Sequence, residues 1–206
     1  MNVRVLWIVC FTLVLGLFSQ AAYSGGGGTK PFSRRMVLGG TIGNWQPHGL
    51  NDEPRFSNFG SAGATPLFGL YVFLPLGGDT GFRLSAGYWS LRNLNKVESA
   101  HSLTLYPLSI DVKYWLVPEG RLSAYVLYGG SAVFGIENES VPFGKNLQEA
   151  RSGWGVNLGA GFDLVMSKRI GMGVLFQYRF VRFQHPLGGV DDFSGPQIAG
   201  EFLFFL

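Results

Sequence analysis

Charge is scarce in this chain of 206 residues: Asp, Glu, Lys and Arg together make up only 14%, against about a quarter in soluble domains. A water-facing surface needs roughly 25–35% charged residues, so an ordinary soluble exterior is excluded. The 16 Lys and Arg against 13 Asp and Glu leave a formal +3 spread thinly along the chain. With no Lys/Arg cluster to neutralise a run of phosphates, nucleic acid is not a partner. Cysteine is nearly absent, since Cys10 is the sole one and lies in the apolar opening segment. Once that segment is removed, disulfides, thiol nucleophiles and thiolate metal sites are excluded, and no cofactor motif replaces them. Long apolar runs are missing after residue 18, and 31 glycines punctuate the rest, which excludes helices as the main element.

The opening segment carries one cation, Arg4, then the apolar run Val5–Phe18, then small residues. That is the layout of a secretory signal covering residues 1–21, with cleavage as late as 24 as the other choice. The run is too short for a spanning helix and has no stop-transfer charge. Residues 22–34, with Gly25 to Gly28, read as a flexible leader. The Gly39-Gly40-Thr41-Ile42-Gly43 stretch has no following Lys-Ser/Thr or helix and reads as close packing rather than a phosphate loop.

From residue 35 onward the hydrophobic period is two. Between 153 and 166, Trp154, Val156, Leu158, Ala160, Phe162, Leu164 and Met166 share one face, opposed by Gly153, Gly155, Asn157, Gly159, Gly161 and Asp163. The same alternation predicts eight strands near 35–45, 64–76, 82–93, 101–117, 121–137, 152–166, 170–183 and 194–206, each reaching the roughly 9–11 residues a tilted membrane strand requires. The connections 77–81, 118–120 and 167–169 are tight, whereas 46–63, 94–100, 138–151 and 184–193 are mostly longer and polar. Short turns at one end and long loops at the other predict an all-β, eight-stranded antiparallel up-and-down transmembrane β-barrel over 35–206, with both termini and the tight turns in the periplasm.

The apolar face is expected to point out to lipid. An eight-stranded lumen is barely wide enough for side chains, and the opposite face is dominated by Gly and Ser with a few charges. Trp45, Tyr88, Trp89, Tyr106, Tyr114, Trp115, Tyr128, Trp154 and Tyr178 are expected toward strand ends as headgroup anchors. The inward parity set contains Arg83, Asp111, Lys113, Asp163, Arg179 and Glu201, three cations and three anions that should pair. A turn near 97 sets Arg83 opposite Asp111. Turns at 118–120 and near 144 set Lys113 beside Tyr125 and Tyr125 beside Asp163, and Arg179 should reach Glu201 or Asn157. No conducting pore is expected.

These features resemble the small outer-membrane barrels of the OmpA/OmpX type. The last strand, with Ile198, Gly200, Phe202, Phe204 and Leu206 on one face, is similar to that family's closing strand, which implies recognition by the barrel-assembly machinery; Leu206 stands where the family usually ends in Phe. The resemblance implies a monomer integral to a bacterial outer membrane, with lipid and lipopolysaccharide around it. Its work would lie in exposed loops serving envelope integrity, adhesion or resistance, without enzymatic activity. The alternative is a lipid A deacylase or acyltransferase acting at the rim, where His185, Asp191, Asp192 and Ser194 gather in one loop. Against it, His101 and Ser102 are adjacent on a strand and so point to opposite faces.

Overall fold

The structure, a computed structural model, describes residues 35–51, 65–92, 100–116, 122–140 and 147–206. The expected signal segment and leader lie outside these. Among the described residues nine strands are present: β1 (Val37–Trp45), β2 (Pro66–Gly77), β3 (Thr80–Arg92), β4 (Ala100–Trp115), β5 (Leu122–Ser140), β6 (Leu147–Val165), β7 (Ile170–Leu187), β8 (Val190–Asp192) and β9 (Gly195–Phe205). Each long strand pairs antiparallel with the next, and β9 pairs with both β7 and β1. The sheet therefore closes as a ring of eight strands, with β8 a short hairpin return on β7. Among the described residues no helix is long and apolar enough to cross a membrane; closure of the sheet satisfies the backbone instead.

Alternation sets the two faces. On β9 the burial alternates residue by residue, with Gln197, Ala199, Glu201, Leu203 and Phe205 buried and Ile198, Gly200, Phe202, Phe204 and Leu206 exposed. Large apolar side chains stand out from every long strand, among them Ile42 at 66% exposed, Leu70 at 69% and Trp154 at 62%. A soluble monomer rarely exposes more than a few hundred Å² of contiguous apolar patch, whereas a lipid-facing wall needs one all round.

Three strand lengths correct the expected loops. β5 and β6 run 19 residues each and β7 runs 18, so most of 138–151 is strand, as is 184–187. Gly188 and Gly189, both with positive φ (62° and 82°), form the two-residue turn into β8, the geometry a tight hairpin favours. A 19-residue strand exceeds a membrane crossing by roughly half its length, so β4–β7 rise as a wall beyond the rim. The β3–β4 ladder skips Gly87/Pro107 and Tyr88/Tyr106 and resumes in register at Trp89↔Leu105, because Pro107 has no N–H to donate.

The lumen is fuller than a Gly/Ser lining suggests. At the loop end Trp45, Leu50, Trp89, Leu103, Leu105, Phe183, Leu187 and Phe193 form one buried apolar cluster. At the turn end Val37, Tyr71, Phe73, Trp115, Tyr125 and Phe205 belong to another. Trp45, Trp89 and Trp115, expected as headgroup anchors, are thus interior residues. Their rings interlock edge-on: Trp45 with Trp89 at 6.0 Å, and Trp115 with Phe73 at 4.7 Å. Tyr88, Tyr114, Tyr128 and Trp154 do face outward. Inward glycines make the room. A Cβ on Gly161 would collide with the Tyr125 ring, and one on Gly39 with Tyr71.

Candidate functional site

Between the two apolar plugs lies a belt of buried polar side chains contributed by β2–β7 and β9. All six inward charges are at most 6% exposed. Arg83 is opposite Asp111 across β3–β4, yet its ion pair crosses the lumen: Nη2 lies 2.6 Å from Glu201 Oε1. Tyr125 donates to the other oxygen, Glu201 Oε2, at 3.0 Å, and the Arg83 guanidinium lies 4.0 Å over the Tyr71 ring. Lys113 Nζ sits 2.6 Å from Asp163 Oδ2 and 3.6 Å over the Tyr125 ring, and the Trp115 indole donates to the same oxygen at 3.2 Å.

The third cation and third anion are held by neutral groups. Asp111 accepts from Asn157 Nδ2 at 2.9 Å, and Asn157 in turn accepts from Ser131 at 3.4 Å. Arg179 donates to Gln197 Oε1 at 2.6 Å and to Ser109 at 3.4 Å. The expected partners of Arg83 and Arg179 are therefore corrected: Glu201 replaces Asp111 for the first, and Gln197 with Ser109 replaces Glu201 or Asn157 for the second. Arg179 is opposite Asn157 in the ladder, but Asn157 turns to Asp111. Two registers also differ. Lys113 faces Leu127 and Tyr125 faces Gly161, because the β4–β5 and β5–β6 hairpins each centre one residue away from the expected turns. A slip of two positions keeps every side chain on its face, so Lys113 still meets both Tyr125 and Asp163. Tyr71, Trp115 and Gln197 complete the belt and escaped the charge-based reading; their inward parity was the available signal.

The belt leaves a cavity of only about 20 Å³ beside Arg83, Asp111, Gln177 and Arg179, about the space one water needs.

The outer rim was the other candidate. Ser194 Oγ accepts from Val181 N at 3.1 Å, and Ser194 N donates to Asp192 Oδ1 at 2.8 Å. Hydrogen bonding from the Ser194 side chain and backbone holds the Asp192 carboxyl below the usual range. Asp191 faces Arg182 at 3.5 Å. His185 is exposed and lies beyond Arg182, which pairs with Asp192, toward the hairpin tip, and among the described residues no hydrogen bond or ion pair joins it to Asp191, Asp192 or Ser194. His101 lies at a strand start whose side chain is outside the described residues. Among the described residues no His, Cys, Asp or Glu group could hold a metal.

What the rim does present is a strand edge. β6 pairs with β5 down to Glu139↔Leu147, but its ladder with β7 begins only at Gly153↔Phe183. Leu147–Ser152 is thus bonded on one side alone among the described residues. The hairpin beyond β7 turns inward instead: Gly188 N donates to Glu137 at 2.7 Å, and Leu187 is fully buried.

The sequence matches no protein-family model and no curated protein. Among solved structures, Ail, the attachment invasion locus protein of Yersinia pestis, is 18% identical over 83% of this chain and 97% of its own, with a TM-score of 0.52. Neisserial surface protein A is 10% identical over 83% and 96%, also with a TM-score of 0.52. With its closed ring, lipid-facing exterior and filled lumen, the chain has the fold of the small eight-stranded outer-membrane barrels of the OmpA/OmpX type.

Proposed function

We propose that this chain is a non-enzymatic, monomeric outer-membrane barrel that binds polypeptide partners outside the cell through the raised β4–β7 wall. Export by a cleaved signal, insertion by the barrel-assembly machinery through the closing strand, and residence among phospholipid and lipopolysaccharide belong to the same reading. The observation that carries it is the free edge of Leu147–Ser152. An unpaired strand edge offers a row of N–H and C=O groups to which an extended segment adds as a further strand. The rigid barrel below holds that edge clear of the membrane. The filled lumen supports a role at the surface rather than in transport, and the likeness to a protein named for attachment and invasion favours adhesion among surface roles.

The test is attachment of cells to surfaces coated with extracellular matrix proteins. Proline introduced singly at Glu149 and at Ala150 removes one backbone donor in each case, and one of the two donors lies on the free edge. That variant should lose attachment while keeping the folded, heat-modifiable band in gels. Undiminished attachment by both would overturn the edge as the binding surface. A changed acyl count in lipid A from expressing cells would instead favour the enzymatic alternative.

A further inference from the structure

At the opposite end of the barrel, two chain segments far apart in sequence bring cations together. The β6–β7 turn carries Lys168 and Arg169, both exposed. Ser167 fixes that turn: its Oγ accepts from the backbone N–H of Arg169 at 3.3 Å and of Ile170 at 3.1 Å. Arg35, just before β1, donates from Nη1 to the Lys168 carbonyl at 2.9 Å, which holds its guanidinium against the turn. None of the three cations forms an ion pair among the described residues. Directly beneath, on the outward face, are exposed Leu164, Met166, Met172, Phe204 and Leu206. Lys168 follows the outward-facing Met166 by two residues, in the turn that ends β6, so the charges stand at the turn-end border of the apolar exterior.

We infer that Arg35, Lys168 and Arg169 form a binding surface for the phosphate of an anionic phospholipid in the periplasmic leaflet, with its acyl chains on Leu164, Met166 and Phe204. The inference rests on the outer-membrane reading above. Charge complementarity selects the headgroup, because three cations without an ion pair among the described residues suit a net-negative phosphodiester and gain less from a zwitterionic one. The apolar strip selects a lipid over a free ion. Guanidinium groups add forked donors that match phosphate oxygens.

The protein, extracted in detergent from outer membranes, would be equilibrated with equal amounts of phosphatidylglycerol and phosphatidylethanolamine and analysed by native mass spectrometry. Retained lipid should be mainly phosphatidylglycerol. Each cation removed should lower its retention about fivefold, so the double change Lys168→Gln/Arg169→Gln lowers it about 25-fold, and Lys168→Arg preserves it. Arg182→Gln, at the other rim, should change nothing. Excess inorganic phosphate should leave the lipid bound. Unchanged retention in the double variant, equal loss with Arg182→Gln, or displacement by phosphate would each overturn the lipid surface. Heat-modifiable migration is read in parallel; its absence in the wild-type protein would count against the barrel reading rather than against this surface.

Discussion

Glu201→Ala is the most informative single perturbation of the lumen. The Glu201 side chain is fully buried, and its two oxygens serve Arg83 at 2.6 Å and Tyr125 at 3.0 Å. Removing one partner of a buried ion pair costs about 3–5 kcal/mol, because the other charge stays buried without a counter-ion. The stranded Tyr125 hydroxyl adds about 1 kcal/mol or more. The stacking of Arg83 on Tyr71 exists in both proteins and offsets nothing. A loss of about 4–6 kcal/mol, at a urea dependence of roughly 2 kcal/mol per molar, moves the unfolding midpoint down by about 2–3 M. The assay is urea unfolding in detergent micelles, followed by the folded band in unheated gels. Arg83→Met combined with Glu201→Ala should recover much of that loss, since it also removes the cation that Glu201→Ala alone leaves buried without a counter-ion. A Glu201→Ala midpoint within about 0.3 M of wild type, with the double change strictly additive, would refute the buried cross-lumen pair.

Three other outcomes follow from the same geometry. Gly161→Leu places a side chain where Tyr125 lies and should abolish the heat-modifiable form, whereas the outward Ala160→Leu should not. Planar-bilayer recordings should show no stable porin-sized conductance, since apolar plugs close both ends of the belt; steady channels would contradict the filled lumen. The Asp192 carboxyl sits below its unfolded value of about 3.9, so its hydrogen bonds with Ser194 stabilise the β8 corner above that pH and are lost as pH falls through the lowered value. Amide exchange at Val181 and Ser194 should quicken in that acid range in wild type, and Asp192→Asn should remove the dependence.

The fold was legible because two-residue periodicity survives in most strands, though not in β2, where Tyr71, Val72 and Phe73 are all buried, and parity put Arg83, Asp111, Lys113, Asp163, Arg179 and Glu201 indoors. Partner choice was not legible. Hairpin arithmetic treats the sheet as flat and finds neighbours such as Arg83 and Asp111, whereas in a narrow closed ring Glu201, on the last strand, lies nearer to Arg83 through the lumen than along the wall. The tryptophans were misread for a related reason: aromatic residues near strand ends serve equally as headgroup anchors or as end plugs, and only their parity separates Trp45 and Trp89 from Trp154. The raised wall was hidden because Glu139, Glu149 and Arg151 look like loop residues. Polar composition above a membrane marks the medium, not the backbone conformation.

The position of Glu201 also bears on the order of assembly. It is carried by β9, while its partners sit on β3 and β5. An open sheet that has zipped β1 through β7 holds Arg83 with no carboxylate at 2.6 Å and Tyr125 with no acceptor. The last strand therefore delivers the counter-charge and closes the ring in one event. Partly closed sheets are penalised both for a free edge and for an uncompensated cation, which makes closure all-or-none and gives the final strand, beyond its outward apolar face, an inward reason to be added last.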